Sequence, residues 1–199
     1  MISPFAPVSL ESNFFKIAKH QELAERLQDF FKDPKNNYLW GIHVHRQLAA
    51  VELKYTKSIN LRVPRPPSMI KTTHEYNQVM DIVDFKLKNE IAIFLELCNW
   101  IDLTLNSVGA KKVTLGRIFF SKLAAQQQVD THIDQGAYFD YYDRFHFIVN
   151  AEHNEFIVRD DHLSFDDGDF YWINNHVPHS LINNSTNERI IVIIDARLE

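Results

Sequence analysis

The stretch RIIVIIDA, residues 189–196, decides the fold of this chain. An unbroken apolar run, Ile190 to Ile194, lies between an arginine and an aspartate. A short apolar run with many β-branched residues is typical of a strand that is buried on both faces. We therefore predict that residues 189–196 form a central strand of a β-sheet.

The residues before this strand, from about 109 onward, predict further short strands separated by turn residues. In DRFHFIVN, residues 143–150, the apolar Phe145, Phe147 and Val149 alternate with His146, which places His146 on the opposite face of its strand. Short strands at this spacing indicate a β-sandwich or barrel. The other predicted strands are VTLGRIFFSKL (113–123), EFIVRD (155–160), FDDGDFYWI (165–173, with a turn at Gly168) and HSLINN (179–184).

The first 110 residues have a more helical pattern. Leu23, Leu27, Phe30 and Phe31 have helical spacing, which predicts a helix over 20–32 that ends before Asp33-Pro34. A second, longer helix is predicted over about 73–104, with Thr72 and Glu75 as a capping box. Its apolar stripe comprises Val79, Val83, Leu87, Ile91, Phe94 and Leu95, and a strand is predicted before it, over 57–62.

These elements predict an α+β fold with a mainly β core. Residues 1–110 would supply helical support and partial strands, and residues 111–199 would form the β core that carries the functional site. Since the two parts complement one another, we expect residues 1–199 to form a single domain.

Composition excludes several classes of protein. The formal net charge is −5, from 21 Lys and Arg against 26 Asp and Glu, and no basic block is present, so we expect no nucleic-acid partner. No apolar run approaches the roughly 18 residues of a membrane span, and the N-terminus lacks a signal-peptide pattern. The single cysteine, Cys98, fits a reducing compartment, so we expect a cytoplasmic protein.

A candidate metal site begins in THIDQG, residues 131–136. His132 and Asp134 are two residues apart and would point to the same side of an extended strand. A third ligand could come from HVPHSLINN, through either His176 or His179. Two imidazoles and one carboxylate are typical of Fe(II) centres with open coordination positions. A structural zinc site would instead need a fourth ligand, usually cysteine, and Cys98 lies in a predicted helix.

Arg189 is the second chemical feature. It stands at the start of the apolar strand, and a buried guanidinium needs an anionic partner. A dicarboxylic co-substrate would supply one, bound by the planar fork of the arginine. The alternative is an ion pair on the surface with Glu188 or Asp195.

Segment 114–197 resembles the aspartyl/asparaginyl β-hydroxylase family of Fe(II)- and 2-oxoglutarate-dependent dioxygenases. The order and spacing of the matching pieces are specific, although no single piece is. They are GRIFFSKL, H-I-D at 132–134, R-F-H-F at 144–147, F-D-D-G-D-F-Y-W at 165–172, H-S-L-I-N-N at 179–184 and E-R-I-I-V-I-I-D at 188–195. The resemblance implies a double-stranded β-helix, a jelly-roll or cupin-like fold.

The resemblance also implies a role for each matching residue. His132, Asp134 and His179 would bind Fe(II), with His179 preferred because His176 precedes Pro178 in a turn. The vertebrate members have glycine at the position of Asp134, so this chain is more similar to the bacterial branch, which includes hydroxylases of free proline. The residues implied in 2-oxoglutarate binding are Arg144 and His146 near its metal-bound end, and Arg189 and Ser121 at its distal carboxylate.

The expected activity is hydroxylation of a C–H bond in an amino acid, free or within a peptide, with 2-oxoglutarate and O2 as co-substrates. The aromatic stretch AYFDYYD, residues 137–143, predicts a loop over the site that contacts the substrate. Residues 43–45 and 57–62 could line the far wall, or simply form an edge strand. Two alternatives stay open: a cupin-like metalloprotein that does not use 2-oxoglutarate, and a non-catalytic β-domain used for binding.

Overall fold

Two antiparallel sheets dominate the structure, a computed structural model that describes residues 12–42, 53–65 and 73–199. Within these ranges the strands are β1 (Phe14–Lys19), β2 (Thr56–Pro64), β3 (Ile82–Asp84), β4 (Val113–Leu123), β5 (Gln128–His132), β6 (Asp143–Asn150), β7 (Asn154–Val158), β8 (Asp161–Leu163), β9 (Asp169–Ile173), β10 (His179–Asn183) and β11 (Arg189–Leu198).

The major sheet has seven strands in the order β1-β9-β6-β11-β4-β2-β3, and the minor sheet has four in the order β5-β10-β7-β8. The chain crosses between the two sheets repeatedly, and the fold is a double-stranded β-helix. Strand β11 lies in the middle of the major sheet, between β4 and β6, and Ile190 to Ile194 are all buried. The prediction of a central strand at 189–196 is confirmed.

Helices cover the outer face of the major sheet. Phe120 of β4 is fully buried there, with its ring centroid 5.0 Å from that of Phe31 and 4.9 Å from that of Phe94. None of the helices in the described ranges is long and apolar enough to cross a membrane. They are α1 (Gln21–Lys32), a 3-10 helix (Pro34–Gly41), α2 (Thr73–Tyr76), α3 (Leu87–Glu90), α4 (Ala92–Ser107) and α5 (Ala137–Tyr141).

The helix predicted over 20–32 is confirmed as α1, but the continuous helix predicted over 73–104 is wrong. Strand β3 interrupts it, because Val83 pairs with Val63 at the edge of the major sheet. Asp84 then forms an ion pair with Arg62 of β2. Sheet pairing thus overrides the helical spacing of Val79 and Val83. Thr72, the first residue of the expected capping box, lies outside the described residues.

Alternation along the strands gives the major sheet two different faces. On β6, Phe145, Phe147 and Val149 share one face, as predicted, and pack in the same core as the helices. Arg144, His146 and Ile148 face the minor sheet. The interior between the sheets is therefore where polar side chains meet. Helices from the first 110 residues share one core with strands from the rest of the chain, but the organisation of residues 1–199 as a single domain remains a prediction.

The shared core predicts a large effect of Phe120→Ala. Removing a fully buried ring between two other phenylalanines should lower the free energy of unfolding by about 3–5 kcal/mol. Leu103→Ala is the matched control, because Leu103 on α4 is 71% exposed and its loss should cost about 0.5 kcal/mol or less. Urea unfolding followed by circular dichroism measures both, and similar losses in the two variants would contradict this packing.

Candidate metal centre

His132, Asp134 and His179 lie together at one end of the minor sheet. His132 ends β5, His179 begins β10, and the two face each other across the pair of strands, with ring centroids 4.3 Å apart. Asp134 follows His132 by two residues. One ligand atom from each of the three side chains lies within 4.8 Å of the others, a spacing that allows one metal ion to contact all three.

Both histidines are oriented by the main chain. Nδ1 of His132 donates to the carbonyl of Asp130 at 2.8 Å, and Nδ1 of His179 donates to the carbonyl of Val177 at 2.9 Å. Because a carbonyl oxygen only accepts, Nδ1 carries the proton in each ring, and Nε2 has its lone pair available. Metal-binding histidines usually have this arrangement, in which the second ring nitrogen is held by a hydrogen bond.

The protonation states suit a cation. Burial lowers the pKa of His179 to about 4, so this imidazole is neutral at neutral pH. Burial alone would raise the pKa of Asp134, but Arg144, His179 and His132 outweigh it and lower that pKa. The neutral imidazole of His179 and the carboxylate of Asp134 therefore lie beside the imidazole of His132, a donor set typical of Fe(II) sites.

His176, the alternative third ligand, lies outside the cluster. Its side chain is exposed, and its backbone N–H donates to the side chain of Asn174 in the turn before β10. This turn also contributes to the site, because Asn175 is buried and its Nδ2 donates to Oδ2 of Asp134 at 3.2 Å. Asn175 was not predicted as a site residue, because an asparagine in a turn before a strand has no distinctive signal in the sequence.

Arg144 lies beside Asp134, inside the structure. Nη1 of its guanidinium donates to Oδ2 of Asp134. Nε donates to Oδ1 of Asp195 at 2.9 Å, and Nη2 donates to Oδ2 of Asp195 at 3.2 Å. Asp195 is 1% exposed and was considered from the sequence only as a partner for Arg189. Arg144 is thus occupied by two carboxylates, which differs from the contact with 2-oxoglutarate implied by the resemblance.

His146, Ser121 and Arg189 are buried on the inner face of the major sheet, along three neighbouring strands. Across β11, His146 of β6 lies opposite Ile193, and Ser121 of β4 lies opposite Ile191. Arg189 begins the same strand. These side chains form a row along the inner face of the sheet. The row begins at Arg189 and continues through Ser121 and His146. It ends at Arg144, which contacts Asp134.

Arg189 has the least satisfied side chain of this row. It is 3% exposed, and within the described part of the chain its Nε and Nη2 atoms have no hydrogen-bond partner. Burial lowers the pKa of Arg189 to about 9. The surface ion pair considered as an alternative does not form, because Glu188 pairs with Lys122 and Asp195 pairs with Arg144.

The aromatic stretch 137–143 is not the predicted loop over the site. Residues Ala137–Tyr141 form the short helix α5, and Tyr138, Phe139 and Tyr142 are buried in a cluster of their own. The Tyr138 hydroxyl accepts a hydrogen bond from the backbone N–H of Arg117 at 2.7 Å, so this ring anchors the helix to β4. Of the proposed far wall, residues 57–62 belong to β2, and residues 43–45 lie outside the described residues.

The sequence pattern of the aspartyl/asparaginyl beta-hydroxylase family matches residues 68–198, about two thirds of the chain. The chain belongs to this family. The match spans the whole metal cluster and Arg189, so the residues described above lie in the part of the chain that family members share. Among curated proteins, none matches this sequence.

Solved structures share the fold of this family member at low sequence identity. An oxidoreductase of the 2OG-Fe(II) oxygenase family from Burkholderia pseudomallei has a TM-score of 0.62 at 11% identity, over 97% of this chain and 88% of that one. A viral collagen prolyl hydroxylase from Paramecium Bursaria Chlorella virus-1 has a TM-score of 0.55 at 11% identity, over 96% and 99%. A Pseudomonas putida prolyl-4-hydroxylase has a TM-score of 0.52 at 10% identity, over 97% of this chain and 96% of that one.

The cluster predicts different effects of two neighbouring histidines on metal binding. His179→Ala removes a buried nitrogen donor, so Mn(II) affinity should fall at least about 100-fold. His176→Ala changes an exposed side chain outside the cluster and should leave that affinity within about twofold. Electron paramagnetic resonance of free Mn(II) during titration measures both, and equal behaviour of the two variants would rule out this assignment.

Proposed function

We propose that this protein is an Fe(II)- and 2-oxoglutarate-dependent dioxygenase that hydroxylates a C–H bond of an amino acid, free or within a peptide or protein. One observation carries the proposal. The buried guanidinium of Arg189, with two nitrogen atoms lacking partners among the described residues, lies in the same barrel as the His-Asp-His cluster. A metal cluster alone would not require this cation, whereas a dianionic co-substrate would.

The chemistry of the ligand set supports Fe(II). Two neutral imidazoles and one carboxylate bind one side of an octahedral ion and leave the remaining positions open for a co-substrate and O2. The cluster contains no thiolate, because Cys98 is buried in α4 and burial raises the pKa of its thiol to about 12. These features fit a catalytic iron site better than a closed structural zinc site.

The row of polar side chains along β11 supports 2-oxoglutarate. An extended dicarboxylate could bind the metal through its 2-oxo acid end and reach Arg189 with its distal carboxylate, where a charge-assisted pair would satisfy the buried guanidinium. Ser121 would share that carboxylate. His146 lies between the two ends of the row, with its ring centroid 5.5 Å from that of Phe156, which in turn lies 6.0 Å from His179.

Fe(II) held by His132, Asp134 and His179 would supply, with 2-oxoglutarate and O2, the oxidising chemistry that couples decarboxylation of the co-substrate to hydroxylation of the substrate. The protein contributes orientation and a dry interior. The Nδ1–H bonds of both histidines would leave Nε2 to bind the metal, and Arg144 with Asn175 holds one oxygen of Asp134. Apolar side chains between the sheets limit water around the site; they include Ile148, Phe156, Val158, Leu181, Ile191 and Ile193.

An amino-acid substrate is supported by the family, whose name refers to aspartyl and asparaginyl residues, and by structural neighbours described as prolyl hydroxylases. The substrate itself stays a proposal. A screen should therefore begin with free proline, aspartate and asparagine and with peptides that contain them.

The first test is the binding of co-substrate to the metal. Under anaerobic conditions, 2-oxoglutarate added to the Fe(II)-loaded protein should produce a weak visible charge-transfer band, and thermal stability should rise more with both additions than with either alone. Iron binding without the band or this synergy would refute the use of 2-oxoglutarate and favour a cupin-like metalloprotein. Absence of any effect of iron would favour a non-catalytic β-domain.

Arg189→Met should separate stability from function. Without co-substrate, Met removes a buried, incompletely paired charge, so the metal-free protein should gain about 1–3 kcal/mol in free energy of unfolding. The same variant should lose the stabilisation by 2-oxoglutarate while keeping Mn(II) binding. Urea unfolding and thermal shift measure these effects, and a variant that still binds 2-oxoglutarate like the wild type would exclude Arg189 as its partner.

A further inference from the structure

Asp134, Arg144 and Asp195 form a chain of alternating buried charges that connects the metal centre to the central strand. Arg144 of β6 lies opposite Asp195 of β11, and the two side chains pair through two hydrogen bonds at 2.9 and 3.2 Å. The remaining nitrogen of Arg144, Nη1, donates to Oδ2 of Asp134. Exposure is 7% for Arg144 and 1% for Asp195, so water competes little for these bonds.

We propose that Asp195 is a positioning residue that acts through Arg144 to hold Asp134 as a ligand with only one oxygen directed at the metal. The inference rests on the proposed function, since it assumes that the cluster binds Fe(II). Arg144 then serves to orient Asp134, the carboxylate ligand. Asp195, a buried residue for which the resemblance implies no role, serves to orient Arg144.

The geometry of the guanidinium supports this assignment. Nε, Nη1 and Nη2 of Arg144 each have a carboxylate oxygen as partner, so all three nitrogens of the planar guanidinium are bound to carboxylates. The Phe139 ring lies against the guanidinium, with its centroid 4.8 Å from the Arg144 Cζ atom. These contacts fix the orientation of Arg144, and its position determines that of Oδ2 of Asp134.

Asp134 is held from a second side by the turn before β10. Its backbone N–H donates to the carbonyl of Asn175 at 3.2 Å, and Nδ2 of Asn175 donates to the same Oδ2 that Arg144 contacts. With Oδ2 bound by two donors, Oδ1 is the oxygen left for a metal. A carboxylate that binds through one oxygen leaves an additional coordination position open, which a bidentate co-substrate and O2 both require.

The net charge of this chain also favours binding of a dication. Asp134 and Asp195 carry two negative charges and Arg144 one positive charge, so the chain of three has a net charge of −1 before metal binds. Without Asp195, Arg144 would be paired with Asp134 alone and would draw that carboxylate away from the metal. The second carboxylate therefore keeps Asp134 electron-rich as a ligand while Arg144 fixes its direction.

The test is Co(II) affinity of the metal-free, full-length protein, measured by visible absorption in competition with a chelator. Asp195→Asn keeps the shape but accepts only one hydrogen bond from Arg144, so Co(II) affinity should fall about 10- to 100-fold and the visible Co(II) spectrum should change. Asp169→Asn is the matched control. Asp169 is equally buried on the same sheet, at 2% exposure, pairs with Lys16 at 2.6 Å and is not a member of the cluster.

A double-mutant cycle distinguishes positioning from damage to the fold. In an Asp134→Ala background there is no carboxylate to position, so adding Asp195→Asn should change Co(II) affinity less than about twofold. The same loss in both backgrounds, or an equal loss in Asp169→Asn, would overturn the inference. So would unchanged Co(II) affinity in Asp195→Asn combined with weaker binding of 2-oxoglutarate, because Arg144 would then serve the co-substrate.

The controls also separate this inference from the proposed function. If wild-type protein binds Co(II) and Asp195→Asn binds it equally well, only the positioning role fails. If wild-type protein binds no Co(II), the metal site itself is refuted, and the proposed function fails with it.

Discussion

The two-residue period of the major sheet is the constraint on which the rest of the structure depends. Along β11, Ile190, Val192 and Ile194 face the helices, while Arg189, Ile191, Ile193 and Asp195 face the minor sheet. One face of the major sheet is therefore apolar and packs against the helices, while its other face carries the buried charged side chains. A shift of one residue in register would exchange the two faces and bury arginine and aspartate beneath the helices, so the site and the core specify the same register.

The electrostatics of the interior follow from that arrangement. Burial makes an unpaired charge costly, and at the Asp134 end the chain of alternating charges satisfies each group through its neighbours. Among the described residues, Nε and Nη2 of Arg189 have no such partner, so the charges there are paired at the Asp134 end of the row and unpaired at the Arg189 end. A protein selected only for stability would not keep a guanidinium in that state, which is why Arg189 is the strongest functional signal outside the metal cluster.

The sequence predicted the parts of the fold that depend on local periodicity. The strands at 113–123, 143–150 and 189–196 each contain alternating or consecutive apolar residues, and they form as expected. The interruption of the helix over 73–104 could not be predicted, because it depends on Val83 pairing with Val63, a contact between residues distant in the chain. Helix α5 was missed for a similar reason, since its aromatic rings are buried by neighbours that the sequence does not reveal.

Some residues of the candidate site could also be predicted from the sequence, while others could not. His132, Asp134 and His179 could be found from residue types, spacing and resemblance, and the structure brings them together. Asp195 and Asn175 could not, because an aspartate at the end of an apolar run and an asparagine in a turn are common, and only their contacts with Arg144 and Asp134 distinguish them. Sequence thus indicates the atoms that could touch a metal better than the atoms that orient them.

The two kinds of ligand in this cluster depend on the rest of the chain to different degrees. Each histidine donates a hydrogen bond to a carbonyl two residues before it, a partner that every amino acid supplies, so this bond requires no particular side chain elsewhere. The carboxylate depends on Arg144, Asp195 and Asn175, which come from three separate segments. Substitutions elsewhere can therefore leave the hydrogen bonds of the histidines intact, whereas a change at any one of three distant positions would remove part of the support of the carboxylate.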